Sequence, residues 1–163
     1  MGLQLPGELV EVLGWIGMTW PQGDEEKLFQ LGKTWLDFAG TIQQAVQQSN
    51  TAAGQVWYGN GGTDIEAFQE YWTGHGPAGA LNLAHTAATI LGGGLIVYAA
   101  VVLALKVNFI AQLVILAVEV AQAIATAGPT FGASLLEVPI FQQITRAILE
   151  NLLWQAIGEI LGG

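Results

Sequence analysis

Few side chains in this 163-residue sequence could do chemistry, and their spacing does not match a metal-binding motif. His75 and His85 are ten residues apart, with no cysteine in the chain and no acidic residue close in sequence. A zinc site needs convergent ligands at short, characteristic spacings. The acidic run Asp24-Glu25-Glu26 is explained by a position at the start of a helix, where carboxylates stabilise the positive end of the helix dipole. We therefore expect surface histidines and helix-start carboxylates, and no metal site.

The sequence also lacks the short motifs that carry enzymatic chemistry. It contains no GxSxG nucleophile turn, no GxxxxGK[ST] phosphate loop and no HExxH zinc motif. The run Gly92-Gly93-Gly94 has no neighbour that could contact a phosphate, so close packing of helices is the simpler explanation. We expect a protein that is not an enzyme and that uses no cofactor.

Composition narrows the possible partners. The formal net charge is -9, with Lys27, Lys33, Lys106 and Arg146 as the four cations, whereas binding to nucleic acid requires clustered basic residues. Hydrophobic residues make up 52% of the chain and charged residues 10%, against about 25% charged in typical soluble domains. Such a chain must bury its apolar surface against a partner, against copies of itself or against lipid. With no cysteine, disulfides and thiol chemistry are excluded.

A long helix is the element that must position the rest. Pro6 can open a short first helix, with Leu9, Val12, Leu13 and Ile16 on one face. After a loop, Asp24 is a candidate N-cap for a helix that runs to about residue 56. Apolar residues then alternate at steps of three and four, which predicts packing along a partner helix. This seam consists of Leu28, Leu31, Trp35, Phe38, Ile42, Ala45, Ser49, Ala52 and Val56, and we expect its first five residues to bind the partner.

The segment after the long helix predicts a tight turn. Trp57 and Gly59 are followed by Asn60-Gly61-Gly62, and glycine and asparagine supply the positive φ that ends a helix. Thr63 and Glu66 then have the spacing of a capping box, which predicts a second helix that ends near Gly74 to Pro77. Residues 24–74 are thus expected to form a helical hairpin.

The tract from 78 to 127 is strongly apolar and leaves two alternatives open. Its residues 86–105 are twenty consecutive uncharged residues, long enough to span a bilayer. In the first alternative the tract is buried in a protein bundle or oligomer. In the second, two apolar helices broken around Lys106-Val107-Asn108 enter lipid as a hairpin, and Lys106 and Glu119 snorkel, lie at an interface or line a pore. The candidate lipid-contacting residues are Val101, Leu105, Ile110, Val114 and Ile115.

A last helix is expected over residues 134–161. Its apolar face is predicted from residues at steps of four, which are Ile140, Ile144, Ile148, Leu152 and Ala156. The amino terminus has no basic stretch followed by an apolar core, so it is not a secretory signal peptide. We expect the final Gly162-Gly163 to be a frayed end or a linker, and it favours a chain cut from a longer protein. We expect an all-α fold, with the hairpin and the long apolar helices packed into an elongated bundle that is a single domain over residues 1–163.

A long helix, then Trp57-Tyr58-Gly59, then a second helix resembles the WXG100 superfamily of helical hairpins exported by type VII secretion systems. The opening WPQGDEEKLF and the apolar tract followed by FGASL resemble one branch, the WXG100-like amino-terminal domain of actinobacterial polymorphic toxins. The resemblance implies a non-catalytic trafficking domain, secreted without a signal peptide, that binds hairpin partners and the secretion machinery. By position, Trp57 and Gly59 match the family's motif.

The sequence departs from that family at the export signal, a tyrosine followed four residues later by an acidic residue. Tyr58, Tyr71 and Tyr98 are followed at that distance by glycine, histidine and valine. Either a partner supplies the signal or the secretion machinery recognises another feature. The alternative function is a membrane-inserting, oligomeric translocation domain that uses the apolar helices.

Overall fold

The chain folds into five α-helices and one 3-10 helix, with no β-strand among the residues 2–74 and 76–162 that the structure, a computed structural model, describes. The helices are α1 (Gly7–Trp15), α2 (Glu25–Trp57), α3 (Thr63–Gly74), α4 (Pro77–Ala125) and α5 (Val138–Gly162), and the 3-10 helix Ala133–Glu137 precedes α5. The prediction of an all-α helical bundle is confirmed. His75, considered above as a metal ligand, lies outside the described residues.

These helices belong to two compact units. The first comprises residues 2–27 and 98–162, and the second comprises residues 28–74 and 76–97. Each unit is described separately below.

The core of the first unit forms between α1, the carboxy-terminal half of α4, and α5. As the sequence predicted, Leu9, Val12, Leu13 and Ile16 form the buried face of the short first helix. They cluster with buried residues of the other two helices, which are Phe109, Leu113, Leu116, Val120 and Leu149. The four residues of α1, together with Leu149 of α5, therefore cover the inner face of α4, defined here as Phe109, Leu113, Leu116 and Val120.

The second unit is built on a close approach of α2 to the amino-terminal half of α4. Ala39, Ile42 and Val46 of α2 form its buried cluster with Ala88 of α4. Where the helices are nearest, a Cβ atom added to Gly32 would lie 2.8 Å from the carbonyl oxygen of Gly92. Backbone-to-backbone contact of this kind requires glycine. Of the glycine run, only Gly92 takes part in this close packing. A Cβ atom at Gly93 or Gly94 would have no neighbour within 4 Å.

The start of α2 confirms the predicted N-cap. The helix begins at Glu25, one residue after Asp24, and the Asp24 Oδ1 atom accepts a hydrogen bond of 3.1 Å from the Lys27 backbone N–H. This bond satisfies one of the amide groups that have no partner inside the helix.

The predicted break around residues 106–108 is wrong, because α4 is one 49-residue helix that passes through them. Lys106 has a counter-charge in Glu25, and the Asn108 side chain donates to the Ala104 carbonyl oxygen at 2.9 Å within the helix. Because both polar side chains are satisfied, neither requires the chain to leave the helix for water.

The predicted apolar face of α5 is also wrong in part. Ile140, Ile144 and Ile148 are exposed, while Thr145 and Leu149 are buried. Residues at steps of four drift around a helix of 3.6 residues per turn, so such a row does not stay on one face. The buried face follows alternating steps instead, through Val138, Phe141, Thr145, Leu149, Leu152 and Ala156.

Candidate functional site

The turn around Trp57 joins α2 to α3 and is held by aromatic packing. The ring centroids of Trp57 and Phe68 are 5.8 Å apart, and those of Phe68 and Trp72 are 5.9 Å apart. The Trp72 indole N–H donates a hydrogen bond of 2.8 Å to the Asn50 side chain of α2. Three aromatic residues and one polar contact therefore close the hairpin, since such ring pairs stabilise beyond the area that they bury.

The backbone of this turn differs from the prediction. The Asn60 side chain donates to the Val56 carbonyl oxygen at 2.8 Å and so caps the end of α2. The positive φ lies at Gly62, with a value of 136°, and the Glu66 N–H donates to the Gly62 carbonyl oxygen. Thr63, predicted as the N-cap, is therefore the first residue of α3, and Gly62 occupies the position before it. Gly59 is not among the glycines with positive φ, and a Cβ atom there would have no neighbour within 4 Å.

The predicted partner-binding seam of α2 divides into two rows. Leu28, Trp35 and Ile42 are buried or half-buried inside the second unit. Leu31 and Phe38 are 48% and 51% exposed. The exposed members form the outer row of α2, which consists of Leu31, Phe38, Ala45, Ala52 and Val56.

The position of the buried face explains the division. Gly32, Ala39, Val46 and Ala53 are buried, each one residue beyond a member of the outer row. These residues are mostly small and allow α4 to pack closely, as at Gly32. The sequence pattern predicted that the large residues of α2 form its contact face. In the structure the small residues form it, because they allow α4 to come close. Large apolar side chains are thereby left at the surface.

The predicted lipid-contacting residues of α4 also divide. Val101, Leu105 and Ile110 are half-buried, and Val114 and Ile115 are exposed. The stretch Thr63–Ala125, which contains α4, is long and apolar enough to cross a membrane, with a mean hydropathy of 2.4 in an 18-residue window. Only 22% of that window is buried. By length and composition the helix could span a bilayer, although core helices of soluble proteins share these properties.

Sequence reasoning missed a buried ion pair between α4 and the start of α2. The Lys106 Nζ atom lies 2.8 Å from the Glu25 Oε2 atom, and both side chains are buried, with Lys106 2% exposed. The other Glu25 oxygen accepts a hydrogen bond from the Leu3 backbone N–H. The Trp20 ring centroid lies 5.9 Å from Nζ, within reach of a cation–π contact. A lone lysine inside an apolar tract was the available signal, because a buried ammonium group needs a counter-charge.

The electrostatics of Glu25 follow from these contacts. Burial acts to raise the pKa of the carboxyl group, but the hydrogen bonds from Lys106 and from the Leu3 N–H act in the opposite direction. The hydrogen bonds outweigh the effect of burial, so the pKa of Glu25 lies below its ordinary value of 4.5. The carboxylate is therefore ionised at neutral pH and neutralises Lys106.

Nothing in the described part of the chain forms an evident catalytic or metal site. The described residues contain no group of three or more His, Cys, Asp or Glu that could hold a metal ion. A cleft of about 140 Å³ lies between α4 and α5, lined by residues such as Ala104, Asn108 and Gln155. Pockets for small molecules are usually about 300–1,000 Å³. Other notable features of the described residues are the Trp57 turn, the outer row of α2, and the apolar surface of α4 with its buried ion pair.

Comparison with known proteins identifies one relationship. A family model described as a WXG100-like domain matches residues 4–148, which is most of the chain. Neither the comparison with curated proteins nor that with solved structures returned a match.

Proposed function

The chain belongs to the WXG100-like domain family, and we propose that it directs an attached carboxy-terminal toxin through a type VII secretion system by binding helical-hairpin partners. Membership makes it a helical protein associated with type VII secretion, of a kind that interacts through helical hairpins and self-associates. Domains of this family are secretion-associated or structural proteins rather than enzymes. The toxin, the identity of the partners and contact with the secretion machinery belong to the proposal.

The exposure of the outer row of α2 carries this proposal. Leu31 and Phe38 expose about half of their side chains, and the row continues along α2 to Val56 with steps of seven and four. A row of apolar side chains at such spacing suits a second helix laid alongside α2. Leu28, Trp35 and Ile42 are buried or half-buried in the second unit and are therefore not part of this docking surface.

Substitutions in the outer row test the docking surface. Leu31→Asp and Phe38→Asp would each leave a carboxylate in a dry helix interface, so we expect loss of co-purification of a co-expressed WXG100-type hairpin protein. Gln44→Asp adds the same charge at an exposed polar position of α2 and should leave binding unchanged. Circular dichroism would establish that all three variants remain helical. Undiminished co-purification of the partner with both outer-row variants would rule out this row as the docking surface.

The proposal assigns the export signal to the partner. This chain lacks a tyrosine followed four residues later by an acidic residue. The Trp57 turn, with exposed residues Tyr58 and Gly59, would then be a contact for the secretion machinery rather than a complete signal. The use of residues 1–163 as one functional domain is also part of this proposal.

A second candidate function is insertion into a membrane, which the exposed apolar surface of α4 favours. Val101→Asp or Ile115→Asp should abolish permeabilisation of liposomes by the purified chain, because a charge in the middle of a bilayer is costly. Gln47→Asp, at an exposed polar position of α2, is the matched control. Gel filtration with and without detergent gives an independent measurement. A parent protein that is monodisperse without detergent and leaves liposomes intact would contradict this function.

A further inference from the structure

Lys106 is a single charged residue in an apolar stretch of α4, and its side chain is buried. No other residue between 86 and 118 carries a charge, and Lys106 is 2% exposed, whereas Lys27 is 81% exposed. Replacing a buried ion pair by apolar residues is often neutral or stabilising, so the pair is not needed for stability alone. Removing one partner is different, because it strands the other charge in a dry interior. Such a pair can hold two segments together as long as both of its charges are present.

Four segments of the first unit meet at the pair, which itself joins the start of α2 to α4. Glu25 lies at the start of α2, and its two oxygens are occupied by the Lys106 ammonium group and the Leu3 N–H. Trp20, from the loop after α1, lies over the ammonium group. The pair thus contacts the chain on both sides of α1, before it at Leu3 and after it at Trp20.

The helix between these two attachment points covers apolar surface. Leu9, Val12, Leu13 and Ile16 of α1 pack in the cluster that buries the inner face of α4. On its other sides the same part of α4 already exposes Val107, Val114 and Val118. Without α1, the part of the inner face of α4 that α5 does not cover would add to this exposed apolar surface.

We infer that the Glu25–Lys106 pair is a latch at the cover that α1 forms over α4: loss of one charge alone strands the other, which releases α1 and uncovers the part of the inner face of α4 that α1 covers. The latch is an autoinhibitory contact that goes beyond either proposed function. Its use to present α4 to lipid rests on the second candidate function, whereas release of α1 can be measured without lipid.

Single cysteines measure the release, because the chain contains no cysteine of its own. Val12→Cys lies on the buried face of α1 and reports on the cover. Val10→Cys lies on the exposed side of the same helix and gives the unprotected rate. Val46→Cys is buried in the second unit and reports on unfolding elsewhere. Each is compared in the parent, in Glu25→Gln and in Glu25→Gln/Lys106→Met, by the rate of labelling with a thiol reagent at neutral pH.

The latch predicts a specific pattern of labelling rates. In Glu25→Gln the Val12→Cys probe should react at least about tenfold faster than in the parent, while Val46→Cys stays protected. In the double variant, which has no stranded charge, protection of Val12→Cys should return. Lys27→Met, at an exposed ion pair with Asp24, should leave all rates unchanged.

Three results would overturn the latch. In the first, Val12→Cys stays as protected in Glu25→Gln as in the parent. In the second, the Val12→Cys and Val46→Cys probes are exposed together in Glu25→Gln, which makes the pair a general stabilising contact. In the third, the double variant reacts as fast as Glu25→Gln, which removes the stranded charge as the cause. Liposome leakage, measured separately on the same variants, tests the second candidate function, and its absence would leave these labelling results intact.

Discussion

Two glycines that follow Trp57 differ in what the backbone requires of them. Gly62 has a φ of 136°, in a region that side chains rarely adopt, and it lies just before the first residue of α3. Gly59 has no such φ and has open space where a Cβ atom would lie. The fold therefore explains Gly62, while Gly59, the glycine that the sequence resemblance assigns to the family's motif, has no evident structural requirement among the described residues.

Alanine at each position separates folding from recognition. Gly62→Ala should destabilise the chain by about 1–3 kcal/mol, because it forces a strained backbone conformation. Gly59→Ala should leave the midpoint of thermal unfolding unchanged. If the Trp57 turn is a contact for the secretion machinery, Gly59→Ala should nevertheless reduce export. Normal export of a folded Gly59→Ala protein would contradict a recognition role for this glycine.

The Glu25–Lys106 pair predicts a pH dependence with a definite sign. Because folding lowers the pKa of Glu25, its contribution to stability is present above the ordinary value of 4.5 and is lost as the pH falls through the lower folded value. Lys106 and the Leu3 N–H are the groups that bond to this carboxylate, while neighbouring Asp24 lies 4.0 Å from Lys27. Between neutral pH and about pH 5 the pair should contribute no change.

The double variant Glu25→Gln/Lys106→Met isolates this contribution. Below about pH 4 the parent should lose thermal stability more steeply than the double variant, since both proteins share every other carboxylate. Thermal unfolding followed by circular dichroism from neutral to acid pH gives the comparison. Parallel curves for the two proteins would show that Glu25 carries no pH-linked stability.

At the scale of elements, the sequence predicted the helices better than their faces. The capped start of α2, the buried face of α1 and the hairpin around Trp57 followed from local patterns of capping and periodicity. The contact face of α2 did not, because alternating steps of three and four fit two adjacent rows that differ by one residue. The close approach of Gly32 to Gly92 selects the row of buried residues Gly32, Ala39, Val46 and Ala53, and this tertiary contact cannot be read from the pattern of α2 alone.

The long apolar helix gives a second example of this limit. The polar residues Lys106 and Asn108 were the reason to predict a break, and both find partners that keep α4 continuous. The partner of Lys106 is 81 residues away in sequence. Local patterns could indicate that Lys106 needed a counter-charge, but not that Glu25, a plausible helix-start residue, supplied it.

Two adjacent glycines of α4 provide a matched test of helix packing. Gly92→Ala would place a Cβ atom 2.9 Å from the Gly32 carbonyl oxygen, so we expect a loss of about 1–3 kcal/mol in stability. Gly93→Ala meets nothing within 4 Å and should stabilise the helix by up to about 1 kcal/mol, since alanine has the higher helix propensity. Chemical denaturation followed by circular dichroism measures both. Equal effects of the two substitutions would contradict the close crossing of α2 and α4.

At the scale of the whole molecule, the apolar surplus of the sequence is only partly buried. The cores of the two units bury only part of the apolar side chains, and large apolar side chains on α2, α4 and α5 remain at the surface. For a member of the WXG100-like domain family, we interpret this surface as the means of association with hairpin partners. The latch at Lys106 then controls how much more of α4 becomes accessible.

Export from the native host tests the central proposal most directly. The amount of protein in the culture medium would be compared for the parent, Phe38→Asp and the control Gln44→Asp, each checked for helical content, and for the parent in a strain that lacks the type VII secretion ATPase. We predict that export requires the ATPase, that Phe38→Asp abolishes it and that Gln44→Asp leaves it unchanged. Export of folded Phe38→Asp at the parental level, or export of the parent without the ATPase, would contradict the proposed function.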